Sequence, residues 1–250
     1  GRLPAGVIMK SPVVFLHGWA QSRQIWVNQF ERFANALFLN LPGHGGAEDR
    51  PADQWLDAIV EQLPDKPCHL TGWSLGGMLA MQIAARFPER ITSLTLVSTT
   101  PRFRVGKDWG FGNSEEAFSG FSQAVTSGSP KALSRFFALM LFGDELSRSD
   151  YNQLAKAAVD RQNSVSAAGL AGGLELLELL DLRQLVSQIK QPTLVVHGES
   201  DAIVPAQAGN WLAENLTDST HELLPACGHA PFLTQAELFN TKVQSWWLQQ

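Results

Sequence analysis

The sequence predicts an α/β fold: an open, mostly parallel central sheet flanked by helices, with a helical cap inserted into it. Three observations predict it. Short apolar runs without polar alternation recur along the chain, as strands buried on both faces require. Helical patterns separate several of them, the alternation that builds a parallel sheet. Between residues 101 and 190 that rhythm stops, and only helical segments and Gly/Ser-rich joints such as "TSGSP" (126–130) follow.

In chain order, the first two runs are "PVVFLHG" (12–18) and "ALFLNLPG" (36–43). "QWLDAIVEQL" (54–63) then sets Trp55, Ile59 and Leu63 on one helical stripe. "CHLTGWS" (68–74) reads as a strand, and "LGGMLAMQIAARF" (75–87) as a helix apolar nearly all round, hence buried. "SLTLVSTT" (93–100) is the next strand. In the insertion, "KALSRFFALMLFGDEL", "DYNQLAKAAVDR" and "AGGLELLELLDLRQLV" all read as helices. "PTLVVHGESD" (192–201) and "HELLPACGH" (221–229) resume the strands, and "AELFNTKVQSWWLQQ" (236–250) closes the chain as an amphipathic helix. The expected division is a core of 1–100 and 191–250 and a cap of 101–190.

Composition narrows the function classes. The 250 residues are 44% hydrophobic and 17% charged, a globular balance. A net charge of −5 argues against general nucleic-acid binding. No apolar run reaches the length of a membrane span. The opening "GRLPAGVIMK" lacks a long apolar core, so no secretory signal is expected there. Two cysteines, Cys68 and Cys227, make no disulfide framework. A cytoplasmic monomer without membrane association is expected. No cofactor or metal is expected either. "PGHGGA" (42–47) lacks the Lys-Ser/Thr of a phosphate-binding loop, and the histidines show no metal spacing.

The chemistry centres on Gly72-Trp73-Ser74-Leu75-Gly76, a G-x-S-x-G between a strand and a helix. A sharp strand-to-helix turn lifts a serine hydroxyl above the sheet, and a helix N-terminus behind it favours negative charge. The plainer alternative is a turn with a capping serine. A serine nucleophile needs a base, and the base an orienting acid. In the expected order Ser, acid, His, Asp201 follows one strand and His229 the last, both at strand C-terminal ends. Glu199 is a rival acid and Asp181 a weaker one. The other five histidines, His17, His44, His69, His197 and His221, are read as structural. "FLHGWAQS" (15–22) supplies a loop whose Trp19 N–H can pair with the Leu75 N–H as an oxyanion hole.

Together HGW (17–19), LPGHG (41–45), GWSLGG (72–77), GESD (198–201) and GHAPF (228–232) resemble the α/β-hydrolase superfamily over nearly the whole chain. Longer stretches, "LPDKPCHLTGWSLGG", "FPERITSLTLVSTTPRF" and "GGLELLELLDLRQ", resemble the family of pimeloyl-acyl-carrier-protein methyl ester esterases of biotin synthesis. The chain departs from that family by little sequence before the HGW strand and by a short 46–56 loop. The resemblance implies a serine carboxylesterase with an acyl-carrier protein as partner. It implies substrate contacts at Trp19, Ser74, Leu75, His229 and along Phe136, Phe137, Ala138, Leu139 and Met140. It also implies carrier docking at Lys131, Arg135 and Arg148. The charges agree: the cap holds ten basic and ten acidic residues, whereas the remainder holds nine and fourteen. Arg102, Arg104 and Lys107 add a basic cluster. Two rivals stay open on the same residues. One is a general short-chain esterase taking small esters, or a C–C bond hydrolase of aromatic breakdown, with the same triad; the other is a non-catalytic small-ligand-binding protein of this fold. Haloalkane dehalogenation would need Asp at position 74.

Overall fold

Six parallel strands organise the computed structural model, which describes residues 9–250. The opening stretch 1–8, where no secretory signal is expected, lies outside the described residues. The strands are β1 (Val13–Leu16), β2 (Leu37–Leu39), β3 (Cys68–Trp73), β4 (Ile91–Val97), β5 (Thr193–Gly198) and β6 (Ser219–Leu224). They lie in the order β2-β1-β3-β4-β5-β6, with register partners such as Phe15↔Thr71, Gly72↔Leu96 and Val97↔Val196. The run expected at 221–229 forms a strand only to Leu224, because Pro225 has no N–H to continue the ladder. The chain then turns before His229.

Wholly buried β1, β3 and β5 explain the unbroken apolar runs. Side chains along a strand point alternately to opposite faces. Val14 and Leu16 therefore enter one apolar cluster, with Trp55, Met78 and Leu79. Val13 and Phe15 enter the other, with Trp26, Trp73, Phe232 and Trp247. Each such buried side chain contributes about 1.5–3 kcal/mol.

Helix α1 (Trp55–Val60) and the buried α2 (Leu75–Arg86) fall where their patterns put them. So does α9 (Ala236–Trp247). α7 (Ala206–Asn215) and α8 (Pro231–Thr234) carry too little apolar pattern to announce themselves; α7 buries only Ala208, Gly209 and Leu212. A 3₁₀ helix at Arg23–Gln29 is likewise unforeseen, started by Ser22, whose hydroxyl accepts from Gln24 N–H at 3.1 Å.

Between β4 and β5 the chain makes four α-helices, α3 (Glu115–Thr126), α4 (Ala132–Leu141), α5 (Arg148–Ala158) and α6 (Ala167–Leu179), and a short 3₁₀ helix at Leu185–Gln188. Ser114, Ser147 and Ser166 cap α3, α5 and α6, accepting from Ala117, Asp150 and Gly169 N–H. The two ends of this insertion meet. Leu182 N–H donates to Pro101 O at 2.7 Å, and Arg102 Nη1 bonds Asp181 Oδ2 at 3.0 Å. Asp181, the weaker rival acid, is thus spent in this neck, where hydrogen bonds from Arg183 and Arg102 hold its carboxyl down to about 2. Among the described residues no helix is long and apolar enough to cross a membrane.

Candidate active site

Since the strands are parallel, the loops after β1, β3, β5 and β6 open on one rim of the sheet. Those loops carry Trp19, Ser74, Asp201 and His229.

Ser74 stands in a strained conformation, φ 55° and ψ −118°. Its N–H still pairs with β4 through Val97 O (2.9 Å), while its carbonyl already accepts from Gly77 N–H (2.9 Å) and Met78 N–H of α2. One residue thus serves a strand and a helix at once, a geometry that costs about 1–3 kcal/mol and persists only when its surroundings enforce it. Thr99 Oγ1 adds a bond to the same carbonyl at 2.6 Å. The flanking glycines are required by close approach. A Cβ on Gly72 would meet Gly76 O at 2.4 Å, and one on Gly76 would meet His17 O at 2.3 Å. The hydroxyl of Ser74 makes no capping bond to α2, so the plainer reading of a capping serine is not realised.

His229 is 1% exposed, and its Nδ1–H donates to Asp201 Oδ2 at 2.8 Å. The other nitrogen is thereby left as an acceptor. Trp73, the residue before Ser74, donates through Nε1 to His229 O (3.0 Å) and lays its ring 5.4 Å from the imidazole. This brings the imidazole alongside the elbow. Among the described residues Ser74 and His229 share no hydrogen bond; in ligand-free sites such bonds are often long and tighten with substrate. Asp201 is gripped at both oxygens. Oδ1 accepts from Ile203 and Val204 N–H, each at 2.9 Å, and Oδ2 faces His229. Burial alone would push this carboxyl up, but the charges and hydrogen bonds of His229 and His197 outweigh it and hold the group well below the usual carboxylate range. Glu199, the other rival acid, is exposed.

His197, read from the sequence as structural, stands beside the acid. It is fully buried, donates through Nε2 to Val204 O (2.9 Å), and sits 3.3 Å from Asp201 Oδ2. Its place at the end of a strand, one turn before the acid, was the available signal. Two groups from the insertion also reach the His229 loop: Met140 O accepts from His229 N–H (3.0 Å) and Asp144 Oδ2 accepts from Gly228 N–H (2.9 Å).

The Trp19 and Leu75 N–H groups have no acceptor among the described residues, and their loops abut where Gly76 meets His17 O. Two buried histidines shape that rim. His17 Nε2 accepts from Leu41 N–H and His44 Nε2 from Ala20 N–H, both at 3.0 Å. Burial, with the neighbouring His44, pulls His17 down to about 3; burial pulls His44 down to about 4. His69 bonds Ser93 (2.6 Å) and is drawn down to about 4 by burial. Burial also pushes the Cys227 thiol up to about 12, which suits packing.

Of the five residues on α4, Phe136 stacks edge-on to Trp19 (5.1 Å), Phe137 is buried against Tyr151, and Met140 is buried completely. Ala138 and Leu139 face outward, Leu139 46% exposed, because a helix offers the site only one stripe. Trp19 is pinned by its Nε1 bond to Leu170 O (3.0 Å). A cleft of about 450 Å³ opens beside it, between Ala20–Ser22, Leu133 and Phe137 of α4, and Tyr151 of α5. Lys131, Arg135 and Arg148 are exposed on α4 and α5 and at their starts. The expected basic cluster is largely neutralised: Arg102 pairs with Asp181, and Arg104 lies 3.7 Å from Glu178 and over the Phe118 ring.

Comparison with known proteins places the chain in a family. The family described as alpha/beta hydrolase fold matches residues 11–236. A pimeloyl-[acyl-carrier protein] methyl ester esterase of Nitrosomonas europaea is 35% identical over 91% of this chain and 92% of its own. One of Aromatoleum aromaticum is 35% identical over 90% and 93%. Among solved structures, an esterase from Exiguobacterium antarcticum superposes with a TM-score of 0.84 at 21% identity, covering 96% of this chain and 92% of that one. MenH from S. aureus does so at 0.79 and 24%, covering 99% and 96%. These two likenesses bear on the fold.

Proposed function

Since this chain belongs to the alpha/beta hydrolase fold family, we propose that it is a serine carboxylesterase that hydrolyses the methyl ester of pimeloyl-acyl-carrier protein in biotin synthesis, releasing methanol. The observation that carries the reading is the His229–Asp201 pair at 2.8 Å beside a serine held in a strained elbow. The curated relatives supply the substrate.

His229 Nε2 takes the proton of Ser74 Oγ as that oxygen attacks the ester carbonyl. The Trp19 and Leu75 N–H groups hold the oxyanion, and losing one such donor costs about 3–4 kcal/mol of transition-state stabilisation. The tetrahedral adduct expels methoxide, which leaves as methanol with the proton from His229. Water, deprotonated by His229, then attacks the acyl-serine; Ser74 recovers its proton and the pimeloyl chain departs as a carboxylate still attached to its carrier. Buried Asp201 keeps Nδ1 protonated and stabilises the imidazolium.

The 101–190 insertion acts as the cap. Phe136, Phe137 and Met140 face the acyl chain, each buried methylene of which contributes about 0.8 kcal/mol. Lys131, Arg135 and Arg148 face the acidic carrier. The enzyme acts in the cytoplasm as a monomer, which size-exclusion chromatography tests.

The deciding assay is methanol release from the carrier-linked ester by wild type and S74A. Wild type should turn over, and S74A should lose at least about a thousandfold with its fold intact. Turnover of small p-nitrophenyl esters without the carrier-linked ester would leave a general esterase. No acylation by any activated ester would leave a binding protein.

A further inference from the structure

The loop that carries His229 has two faces of opposite hydrogen-bonding sense. Its carbonyls point into the core: Cys227 O accepts from Ser200 N–H (2.9 Å) and His229 O from the Trp73 indole (3.0 Å). Its N–H groups point into the cap: His229 N–H to Met140 O (3.0 Å) and Gly228 N–H to the Asp144 carboxylate (2.9 Å). The contact is close-packed. A Cβ on Gly228 would meet Phe142 O at 2.7 Å, and Gly143, at φ 110°, would bring one to 2.5 Å from Ser200 O. The segment between α4 and α5 is therefore seated directly on the loop of the base.

We propose that Asp144 is a positioning residue, tethering the His229 loop to the cap so that the seating of the α4–α5 connection sets where the base stands. This rests on the esterase reading only for the identity of the base. An electrostatic observation supports a specific role for the side chain. Burial, and to a smaller degree the charge of Asp201, push the Asp144 carboxyl up against the hydrogen bonds from Gly228 N–H and the Thr234 and Gln235 side chains, and burial prevails, so charge is not what the site selects. What the site uses is an acceptor for Gly228 N–H, which an amide oxygen also provides.

The test compares D144A and D144N on a small p-nitrophenyl ester, with amide exchange of residues 226–230 followed by mass spectrometry. D144A should lower kcat at least about tenfold, since small misplacements of catalytic groups carry such penalties, with KM changed less than about twofold. D144N should restore kcat to within about threefold of wild type. Exchange in the loop should quicken in D144A and not in D144N. Wild-type kcat in a folded D144A, or equal impairment of both variants, would overturn the proposal. If D144A does not fold, D144E, which displaces the carboxylate by one methylene, takes its place with the same expected loss. A wild type inert towards every ester would remove the esterase reading, and the exchange comparison would still decide the tether.

Discussion

The elbow of Ser74 and the loop of His229 both follow strands, yet they are held by different parts of the molecule. Every contact that strains Ser74 comes from the sheet and its helix: Val97 O, Thr99, α2, and the carbonyl of His17 pressed on Gly76. The loop of His229 is held half by the core and half by α4 and its following turn. The backbone turn of Ser74 is thus set by strands and α2, while the loop of His229 is shared between the sheet side and the 101–190 insertion. Changes in the core should injure everything at once, whereas changes on the cap's outer face should touch only what the cap recognises.

The severest way to break this contrast is G76A. The added methyl would lie 2.3 Å from His17 O, and forced overpacking of this kind costs about 1–3 kcal/mol, the upper end being expected where the obstacle is buried backbone. Urea denaturation should show that loss, with activity falling on every ester. Wild-type stability would mean that the elbow is not clamped by β1. Acid should loosen the same rim. As pH falls below 6.5 the unfolded chain takes up protons at His17 and His44 that the folded chain refuses down to about 3 and about 4. Stability should therefore fall by about 1.4 kcal/mol per pH unit for each ring. Thermal melts across that window check it, and a melting temperature indifferent to pH would mean that these rings titrate as free ones. The mildest effect sharpens the other half. Reversing Lys131, Arg135 and Arg148 to Glu should raise KM for the carrier-linked ester about tenfold and leave a small ester unchanged. Equal effects on both would remove the docking role.

The strands were legible because both faces of the sheet are covered, which makes burial readable as unbroken apolar runs. The turn at Ser74 was legible because its glycines report a steric requirement that a strand–helix elbow imposes. The places of Asp201 and His229 after strands were legible too, and the structure pairs them at 2.8 Å. What stayed hidden depends on contacts between distant segments. His197 looks like a buried strand residue until Asp201 folds back to within 3.3 Å of it. Asp144 lies 84 positions from the amide it holds. On α4 the composition suggested an apolar wall, but which stripe faces inward is set by docking, so Ala138 and Leu139 turned out to face solvent. α7 was silent because small residues form most of its buried face.

The neck of the insertion has a consequence for how such molecules diversify. With Pro101 and Leu182 joined by a single 2.7 Å bond, the polypeptide leaves the sheet and returns to it at nearly the same point. Whatever is spliced between those two residues leaves the strand ends where they were. A different roof spliced in there would leave the Ser74 turn its own supports, but it would have to offer the His229 loop new acceptors in place of Met140 O and Asp144.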